Sequence, residues 1–591
     1  MKRKGRYHRK RRPTKRLFVI LLILLVVITG VVLALNQCAV RKGHSDKDLL
    51  GFWGKTTPSP VPTVSPTPTP APTPHAVAGT APDTLGLISE LNLNGGDIAS
   101  YIRDVPFSFG EGGSYTALNG IITFRSDHWR QGATYGDATV TSKTLTKVWS
   151  ADTASLPRTS GANAWTGNGW TGQPLIVKWP ESTRNVMNLY DMAKGKDGLV
   201  EVIYPSLDGM VHFLDLETGE RTRDKIDVGL PFKGAGSLDP RGYPLLYIGA
   251  GDAAPAHHGR EALVQEYFIY SLIDGKLLYS FGKNPDPYAQ RAWHAYDSAA
   301  LVDAGADTLI LPGENGILYT LKLNTRYDAA AGAISISPGD MLKMRYTTKR
   351  ARDGMAGDTY WLGMEASPAM WGEYLYVSDN CGTMLCVNTT IMQVVWVQDT
   401  LDDSNSTPVL EVVNGKPYIY TSTSLHWTSA SVGSGSGVIP IWKLDGLTGE
   451  VLWRRDYNCN TVPNVSGGVE GSGLLGKNSL NDLVFYTIAR TPGQSDGKLV
   501  ALRKNTGDEA WVYPMQNYSW SSPVAIYDKD SGAGYILVCD SGGYIHLLDG
   551  QTGALLASEN LGGNVEASPA IYGNMLVVGT RQQKIWGIRI D

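Results

Sequence analysis

The sequence predicts an all-β protein whose main domain is a β-propeller of eight blades, with seven blades as the alternative. Three observations lead to this fold class. A chain of 591 residues is too long for one ordinary hydrophobic core unless that core is built from repeats. Its 67 glycines, 29 tyrosines and 16 tryptophans favour β-structure with many turns. A unit of about 57 residues also recurs along most of the chain.

The N-terminus predicts a membrane anchor. Residues 1–16 contain ten Lys or Arg and no acid, whereas the rest of the chain has 43 basic and 56 acidic residues, a net charge of −13. Residues 17–35, from Leu17 to Leu35, carry no charge and would span about 29 Å as a helix, close to the hydrocarbon thickness of a bilayer. The basic flank predicts a cytoplasmic tail, with the bulk of this single-pass protein outside the cell membrane.

Two other interpretations of this segment are weaker. A cleaved signal peptide has a shorter apolar region followed by an Ala-x-Ala site, which this sequence lacks. Lipidation of Cys38 would need small residues before it, but Asn36 and Gln37 are polar and bulky. We therefore expect the segment to act as an anchor.

Residues 36–82 are predicted to be a juxtamembrane segment and a Pro/Thr-rich stalk. Nine of the 32 prolines lie in residues 56–82, and Thr-Pro alternation favours polyproline II, with a reach of roughly 80 Å. Residues 83–117 are predicted to form a short mixed segment packed on the outside of the head. Helical turns are expected there at residues 85–93 and 97–102, with Asp97 as an N-cap.

Residues 118–591 are predicted to form the propeller. Each repeat has an apolar run, a Gly-containing turn, an alternating strand, a polar turn and a strand that ends in an aromatic residue. This period-two pattern is typical of antiparallel hairpins, and its repetition favours a propeller. The clearest copies share a Thr-Gly turn at Gly219, Gly449, Gly507 and Gly553, and degenerate copies lie around Gly275, Asn315 and Gly382.

The ends of the propeller predict how the ring closes. The last repeat, residues 564–591, supplies only three strands, and the stretch that ends at Trp149 matches the missing fourth strand. Exchange of a strand between the two ends would leave no open sheet edge at the junction. This arrangement gives eight blades.

The repeat G-x-L-x-A-L-x-x-x-T-G-x-x-x-W, which residues 497–511 match, resembles that of PQQ-like (quinoprotein-like) β-propellers. Residues 123–136 are also similar to the lead-in of such propellers. In that family the alanine and tryptophan of the repeat dock neighbouring blades, so we expect these side chains to join blades. The tryptophan position holds Trp149, Trp396, Trp453 and Trp511, and the alanine position holds Ala501, Cys386 and Gly587.

The resemblance also implies a cofactor that the sequence does not otherwise support. Quinoprotein dehydrogenases use a vicinal cysteine pair, a calcium-binding constellation and a catalytic aspartate. No two of the five cysteines are adjacent, and a disulfide between Cys381 and Cys386 stays undecided. We therefore assign no catalytic residue and no metal ligand, reading His294 and Asp297 as solvated loop residues. We expect no cofactor, with PQQ and Ca²⁺ as the alternative.

One constellation predicts a ligand site at the mouth of the central channel. Three repeats enter their innermost strand with a glutamate at the same offset, and convergent carboxylates bind a cation or a cationic group of a partner. The alternative is a ring of hydrated surface acids. The glutamates are Glu365, Glu470 and Glu566, and the equivalent positions hold Tyr296, Asn405 and Trp520.

These observations predict a membrane-anchored binding or scaffold module outside the cytoplasm, with proteins or envelope components as partners. Nucleic acid is not an expected partner, because the basic tail adjoins the anchor and suits anionic lipid. The alternative function is enzymatic: a quinoprotein-like dehydrogenase, or another enzyme that uses the channel carboxylates.

Overall fold

The computed structural model describes residues 72–159, 163–257, 259–353, 362–426, 435–463 and 465–591, which belong to one compact unit, Ala71–Asp591. The predicted tail, the predicted anchor and most of the predicted stalk lie outside these residues. In the part of the chain that is described, no helix has the length and apolar character needed to cross a membrane.

Eight antiparallel sheets follow one another along the chain, so the prediction of eight blades is confirmed and the alternative of seven is wrong. We number the blades in chain order. Blade 1 contains Leu175–Lys178, Glu201–Pro205, Met210–Asp215 and Ile226–Asp227, and blade 2 contains Ser237–Leu238, Leu245–Gly249, Tyr267–Ser271 and Leu277–Phe281. Blade 3 contains Leu301–Asp303, Thr308–Pro312, Ile317–Lys322 and Met341–Thr347, and blade 4 contains Ala369–Trp371, Tyr374–Ser378, Thr383–Asn388 and Gln393–Asp399. Blade 5 contains Val409–Val413, Lys416–Ser422, Gly435–Asp445 and Val451–Thr461, and blade 6 contains Leu474–Leu475, Leu483–Ala489, Gly497–Arg503 and Glu509–Met515. Blade 7 contains Val524–Tyr527, Gly534–Cys539, Tyr544–Asp549 and Leu555–Asn560, and blade 8 contains Ala570–Tyr572, Met575–Thr580, Lys584–Ile590 and Leu145–Asp152.

The remaining elements are short. Short strands extend the blades or form small ribbons, and each helix among the described residues has at most six residues. The short strands are Ile88–Leu93, Gly96–Ile98, Asn119–Ile121, Thr134–Tyr135, Ser155–Leu156, Trp165–Thr166, Arg326–Asp328, Ala333–Ser335, Ser424–Leu425 and Gly467–Gly468. The helical turns are Pro82–Leu85, Gly112–Ser114, Glu181–Val186, Asp191–Gly195, Lys349–Arg352 and Asn478–Leu480.

The ring closes as the sequence predicted. Lys584–Ile590, the last strand of the chain, pairs antiparallel with Leu145–Asp152, which precedes blade 1. Gly587 lies opposite Trp149 in this pairing. Blade 8 is therefore built from both ends of the domain, so that its third and fourth strands are held together only by this non-local contact.

The repeated tryptophans join neighbouring blades, as predicted. The indole of Trp453 in blade 5 donates a hydrogen bond to the main-chain oxygen of Lys504 in blade 6, at 2.9 Å. A Cβ added to Gly507 would lie 2.7 Å from that indole, so the Thr-Gly turn accepts the ring only because it has no side chain. The same contact joins Trp149 to Gly219, Trp396 to Gly449, and Trp511 to Gly553.

The segment before the propeller differs from its prediction. Residues expected to be helical form a hairpin, Ile88–Leu93 with Gly96–Ile98, that adds two strands to the outer edge of blade 3. Asn94 and Gly95 have φ of 53° and 90°, as a tight hairpin turn requires, and the Asn-Gly-Gly signal outweighs any helical tendency. The described end of the segment predicted to be stalk contacts the propeller, because His75 donates its main-chain N–H to the oxygen of Leu447 in blade 5.

Residues 119–135, which we call the plug, close one end of the central channel. Two arginines in it, Arg125 and Arg130, are fully buried and donate to main-chain carbonyls, for example from Arg125 to Gly473 at 2.6 Å. Burial lowers the pKa of Arg125 to about 9 and that of Arg130 to about 10. The plug pairs with or hydrogen-bonds to one residue of every blade. From blade 1 to blade 8 these residues are Ile176, Leu238, Ala299, Met370, Leu410, Leu475, Ala525 and Ile571.

A ring of hydroxyls lies next to the plug and links successive blades. Each hydroxyl oxygen accepts a main-chain N–H from the preceding blade, at 2.9 to 3.1 Å. In blade 4 the carbonyl of Pro368 accepts a hydrogen bond from the plug, and Ser367 before it belongs to the ring. Glu365 comes before both residues, so the ring separates the predicted glutamates from the plug. The hydroxyls are those of Ser367, Thr407, Ser472, Ser522 and Ser568.

Candidate functional site

A cavity of about 390 Å³ lies at the end of the channel away from the plug. It is concave, apolar in part and rich in convergent polar groups, which is typical of a ligand site. Its indoles are those of Trp165, Trp170, Trp293 and Trp520. Its charged side chains are Asp252, Glu314, Glu365, Asp403, Glu470, Arg158, Lys233 and Arg291.

Four of the six predicted site residues line this cavity: Glu365, Asn405, Glu470 and Trp520. The structure brings Asn405 and Glu470 into contact, because the Asn405 amide donates to Glu470 Oε2 at 2.6 Å. Glu470 is 5% exposed, and its Oε1 is buried without a hydrogen-bond partner among the described residues. Burial raises the pKa of Glu470 to about 8, although the Asn405 amide opposes this shift.

The assignment of Tyr296 to the channel is wrong. Tyr296 is buried between blades 2 and 3, where its hydroxyl donates to the carbonyl of Gly282 at 2.6 Å. Ser298, two residues after Tyr296, donates to the oxygen of Pro312 and does not join the hydroxyl ring. Ala299 takes that place in the ring, so the residue at the glutamate offset is Asp297.

Glu566 lies beside the cavity without lining it. Its Oε2 accepts the main-chain N–H of Trp170 at 3.2 Å, and its Oε1 accepts from the Asn564 amide at 2.8 Å. Both carboxylate oxygens thus hold neighbouring chain segments. Glu566 positions Trp170, whose indole forms part of the cavity wall.

Lys233 places a positive charge among three indoles. Its Nζ lies 4.5 Å from the ring centroid of Trp170, 4.9 Å from that of Trp293 and 5.3 Å from that of Trp165. These distances suit cation–π attraction, which strengthens when the ammonium is desolvated, and Lys233 is 4% exposed. The lysine therefore belongs to the wall that holds these rings in place.

A second polar chain crosses from blade 3 to blade 5. Arg291 donates to Asn380 Oδ1 at 2.8 Å, and the Asn380 amide donates to Asp403 Oδ1 at 2.6 Å. Burial and the nearby Glu365 raise the pKa of Asp403, while the Asn380 hydrogen bond lowers it. The cavity therefore favours the protonated form of more than one of its carboxyl groups while it holds no further cation.

Asp297, Glu314 and Glu365 form the acidic cluster on the side of blades 3 and 4. Each offers an oxygen within 4.8 Å of the others, close enough to hold a metal ion. Trp293 donates to Glu314 Oε2 at 2.7 Å, and Trp170 donates to Glu365 Oε1 at 3.0 Å. Burial first, and then the neighbouring Glu365, raise the pKa of Glu314 to about 8. Burial and Glu314 raise the pKa of Asp297 as well.

The repeat pattern did not mark Glu314, Asp403 or Lys233 as site residues, and Asp297 was expected to be a solvated loop residue. Asp297 directly follows Tyr296, the residue that was predicted for this position. Counting back two residues from Ala299, which occupies the ring position in blade 3, identifies Asp297. Glu314 lies in the turn between Thr308–Pro312 and Ile317–Lys322, where an acidic residue is ordinarily solvated. Nothing in the sequence marks Asp403 or Lys233, because only the closure of the ring brings them to the channel.

The histidine and cysteine predictions have separate outcomes. His294 and Asp297 are 2% and 8% exposed, so the prediction that they are solvated loop residues is wrong. His294 accepts a hydrogen bond from the main-chain N–H of Asp286 and is not part of the acidic cluster that contains Asp297. Cys381 and Cys386 are both free and buried, which settles the open question of a disulfide. Cys386 lies opposite Trp396 in its blade, as its place in the repeat predicted.

A larger cleft of about 690 Å³ lies on the plug side of the ring, between the plug and blades 6 and 7. Tyr115, Tyr135 and Tyr527 are among its lining residues. The cavity at the opposite end is the stronger candidate, because it alone of the two contains the buried carboxylates without partners among the described residues.

Comparisons with known proteins agree with this fold. A family model described as outer membrane protein assembly factor BamB (PQQ_2) matches residues 495–591. The β-alanine-activating enzyme of Danio rerio is 31% identical over 105 residues, which are 17% of this chain and 9% of that protein. BamB of Moranella endobia is 24% identical over 229 residues, 37% of this chain and 48% of that protein. The matches thus span less than half the length of these two relatives.

Among solved structures, the quinohemoprotein alcohol dehydrogenase ADHIIG from Pseudomonas putida HK5 is 14% identical, with a TM-score of 0.48. The match covers 83% of each chain. The eight sheets, the blade-joining tryptophans and the family match to residues 495–591 make this chain similar to the PQQ-like β-propellers in its repeat and its fold.

Proposed function

We propose that this chain is a non-enzymatic binding module, held outside the cytoplasmic membrane by residues 17–35 and the stalk. The cavity accepts a cationic group of a protein or of an envelope polymer. One observation carries the proposal: Glu470 has a buried carboxylate oxygen that finds no hydrogen-bond partner in the described part of the chain, and it lines a cavity whose walls also carry indole rings. Carboxylates and indole faces are the two kinds of group that bind ammonium and guanidinium ions.

The rest of the chain supports a partner in the envelope. The ten basic residues ahead of residues 17–35 favour an outward-facing head, and the Pro/Thr-rich stalk would hold this head away from the bilayer. Residues 17–591 carry a net charge of −13, which attracts cationic partners. Moranella endobia BamB is named as an assembly factor, which supports protein binding rather than catalysis for the region it matches.

The proposal predicts that affinity for a cation rises with pH. Because the pKa of Glu470 in the empty cavity is about 8, a cation that binds its ionised form must first displace a proton at neutral pH. Affinity should increase up to about tenfold for each pH unit below 8 and then level off. Calorimetric titration of the full-length protein with a lysine-rich peptide, between pH 6 and pH 9, measures this effect.

Two glutamate variants give the control. Glu470→Gln should weaken binding of the peptide and abolish its pH dependence, whereas Glu217→Gln, at an exposed turn of blade 1, should leave both unchanged. A pull-down from solubilised envelopes with the same three proteins would then identify the partner. Equal binding by Glu470→Gln and the unaltered protein would contradict the proposal.

The alternative, a quinoprotein-like enzyme, needs PQQ in the same cavity. None of the four cysteines that the structure describes lines this cavity, so its described walls lack the sulfur platform that the resemblance implied. The quinone itself carries three carboxylates, yet the lining has more acidic than basic side chains. These residues do not fit the cofactor. Addition of PQQ and Ca²⁺ should give no protein-bound quinone absorbance, and bound absorbance would favour the enzyme.

A further inference from the structure

The residues that line the channel cavity leave both acceptors and donors of hydrogen bonds unused. Oε1 of Glu470 and Oε1 of Glu314 are buried acceptors without a partner among the described residues. The indole Nε1 of Trp520 and Nε of Arg158 are buried donors that likewise find no partner in the described part of the chain. Buried polar groups are nearly always hydrogen-bonded, because burial without a partner is costly. A ligand that suits this lining therefore both donates and accepts hydrogen bonds.

This requirement separates two kinds of cationic ligand. A lysine side chain that enters the cavity with its ammonium group first donates hydrogen bonds but brings no acceptor with it. It would pair with the carboxylates and leave the donors of Trp520 and Arg158 unmatched. A hydroxyl group donates and accepts at once. A ligand that combines hydroxyls with an ammonium group therefore pairs with cavity groups of both kinds.

The indole of Trp520 differs from the other three indoles of the cavity. Those of Trp165, Trp170 and Trp293 each have the ammonium group of Lys233 within 5.3 Å of the ring centroid. Within the described residues, no Lys or Arg lies over the Trp520 ring, which meets Trp170 at 5.9 Å with 72° between the ring planes. An indole face is large, rigid and apolar. It suits the face of a sugar ring that carries C–H bonds, while the hydroxyls at the rim of the sugar reach polar groups.

Three successive blades bring an amide, a carboxylate and this indole to one side of the cavity. Asn405, Glu470 and Trp520 precede the ring hydroxyls of blades 5, 6 and 7 by two residues. The Asn405 amide binds Oε2 of Glu470 at 2.6 Å, which fixes the carboxylate and leaves Oε1 for a ligand. A Cβ added to Gly471, the residue after Glu470, would lie 2.8 Å from the main-chain oxygen of Trp520. The carboxylate and the indole therefore come from chain segments in direct contact.

We propose that the ligand is a polysaccharide with free amino groups, bound in the cavity through an amino-sugar unit. The ammonium group pairs with Glu470, the sugar ring packs on Trp520, and the hydroxyls pair with the remaining donors and acceptors. An amino-sugar unit is a cationic group of an envelope polymer, so this ligand rests on the proposed function and narrows it to one chemical class. The net charge of −13 on residues 17–591 attracts such a polymer as well.

Calorimetric titration of the full-length protein at neutral pH compares three probes. The β-1,4-linked tetramer of glucosamine carries both ammonium groups and hydroxyls. Its fully N-acetylated form keeps the rings and hydroxyls without the charge, and tetralysine keeps the charge without the sugar rings. The glucosamine tetramer should bind about tenfold more tightly than either control, or better, because each control lacks one class of hydrogen bond. This comparison needs no variant of the protein.

Two variants locate the bound tetramer. Glu470→Gln and Trp520→Leu should each weaken its binding about tenfold. Trp371→Leu is the matched control, because Trp371 stacks on Tyr374 and does not line the cavity, and it should bind as the unaltered protein does. Melting temperatures show whether each variant is folded, and Glu470→Gln serves alone if Trp520→Leu is not.

The three probes also separate this ligand from the proposed function. Tetralysine that binds as tightly as the glucosamine tetramer, or more tightly, would overturn the amino-sugar ligand and leave the proposed function standing. Equal binding of the acetylated tetramer, or unchanged binding of the glucosamine tetramer by Glu470→Gln, would overturn it as well. Absence of binding by all three probes would overturn both.

Discussion

Glu470 shows how the propeller maintains a reactive carboxyl group in its channel. The side chain is removed from water by the closure of the ring, and burial is the largest influence that raises its pKa. The Asn405 amide compensates only in part, through one hydrogen bond of 2.6 Å. The empty cavity consequently favours the protonated form of this group at neutral pH.

This protonation predicts how stability depends on pH. The ordinary pKa of 4.5 is raised to about 8 in the fold, so the unfolded chain releases the proton at lower pH than the folded chain. The resulting stabilisation is present below pH 4.5 and is lost as the pH rises through 8. Between pH 5 and pH 8 the free energy of unfolding should therefore fall less in Glu470→Gln than in the unaltered protein. The two slopes should differ by at most about 1.4 kcal/mol per pH unit.

Thermal or chemical unfolding of both proteins across this pH range measures the difference. Glu217→Gln, which is exposed, provides the matched control and should follow the unaltered protein. Parallel curves for Glu470→Gln and the unaltered protein would show that Glu470 is ionised in the fold.

The sequence predicted the radial position of the channel residues but not their contacts. The repeat register puts Glu365, Glu470 and Glu566 at a shared offset, and in the structure Glu365 and Glu470 line the cavity while Glu566 lies beside it. Their environments nevertheless differ, because each depends on what the facing blades present, such as Asn405 or the Trp170 main chain. Asp297 was missed for a local reason: Ser298 imitates the ring hydroxyl one residue early.

The blades are joined by a contact that requires a glycine as much as a tryptophan. In each clear repeat the Thr-Gly turn has positive φ, 75° at Gly507, and it lies against the indole of the preceding blade. The indole N–H also bonds to a main-chain oxygen just before that turn. The repeat motif predicted this contact because both partners recur at a fixed spacing.

Gly507→Ala should disrupt this contact. The new methyl group would lie 2.7 Å from the Trp453 ring, which is itself held by its hydrogen bond. Overpacking of this kind costs about 1–3 kcal/mol, in addition to the cost of alanine at positive φ. Denaturant unfolding measures the loss in the free energy of unfolding.

Gly415→Ala isolates the packing contribution. Gly415 has φ of 76°, almost the same as Gly507, but nothing lies within 4 Å of its added Cβ. Gly507→Ala should therefore be less stable than Gly415→Ala. Equal losses would mean that backbone strain alone explains the effect and that the indole contact adds nothing.

The hairpin on blade 3 is an element whose secondary structure the sequence pattern did not predict. The apolar residues Ile88, Leu91 and Leu93 follow neither a strand period nor a helix period throughout, so the sequence of this short segment does not decide between the two. What decides is the free edge of Met341–Thr347, which offers six residues of pairing to Ile88–Leu93. Such tertiary pairing overrides local propensity, and the sequence alone does not reveal that this edge is open.

The whole molecule is a ring that is closed at two levels. The strand pairing between Lys584–Ile590 and Leu145–Asp152 closes it at the circumference, and the plug closes it at the axis by bonding to every blade. Both closures use the segment before blade 1, so residues 119–152 meet the other seven blades and the last strand of the chain. The sequence predicted the first closure from a missing strand, but the plug has no periodic signal.

Removal of residues 582–591 should therefore affect more than blade 8. The truncated chain loses the strand that joins its two ends, together with the core residues Ile585 and Ile588, and this exposes the edges of Met575–Thr580 and Leu145–Asp152. A loss of this size is comparable with the whole stability of a domain, about 5–15 kcal/mol. We expect no cooperative thermal transition, whereas a synthetic peptide of residues 582–591 should restore one and its scrambled version should not. A cooperative transition in the truncated chain without the peptide would show instead that the plug alone holds the ring together.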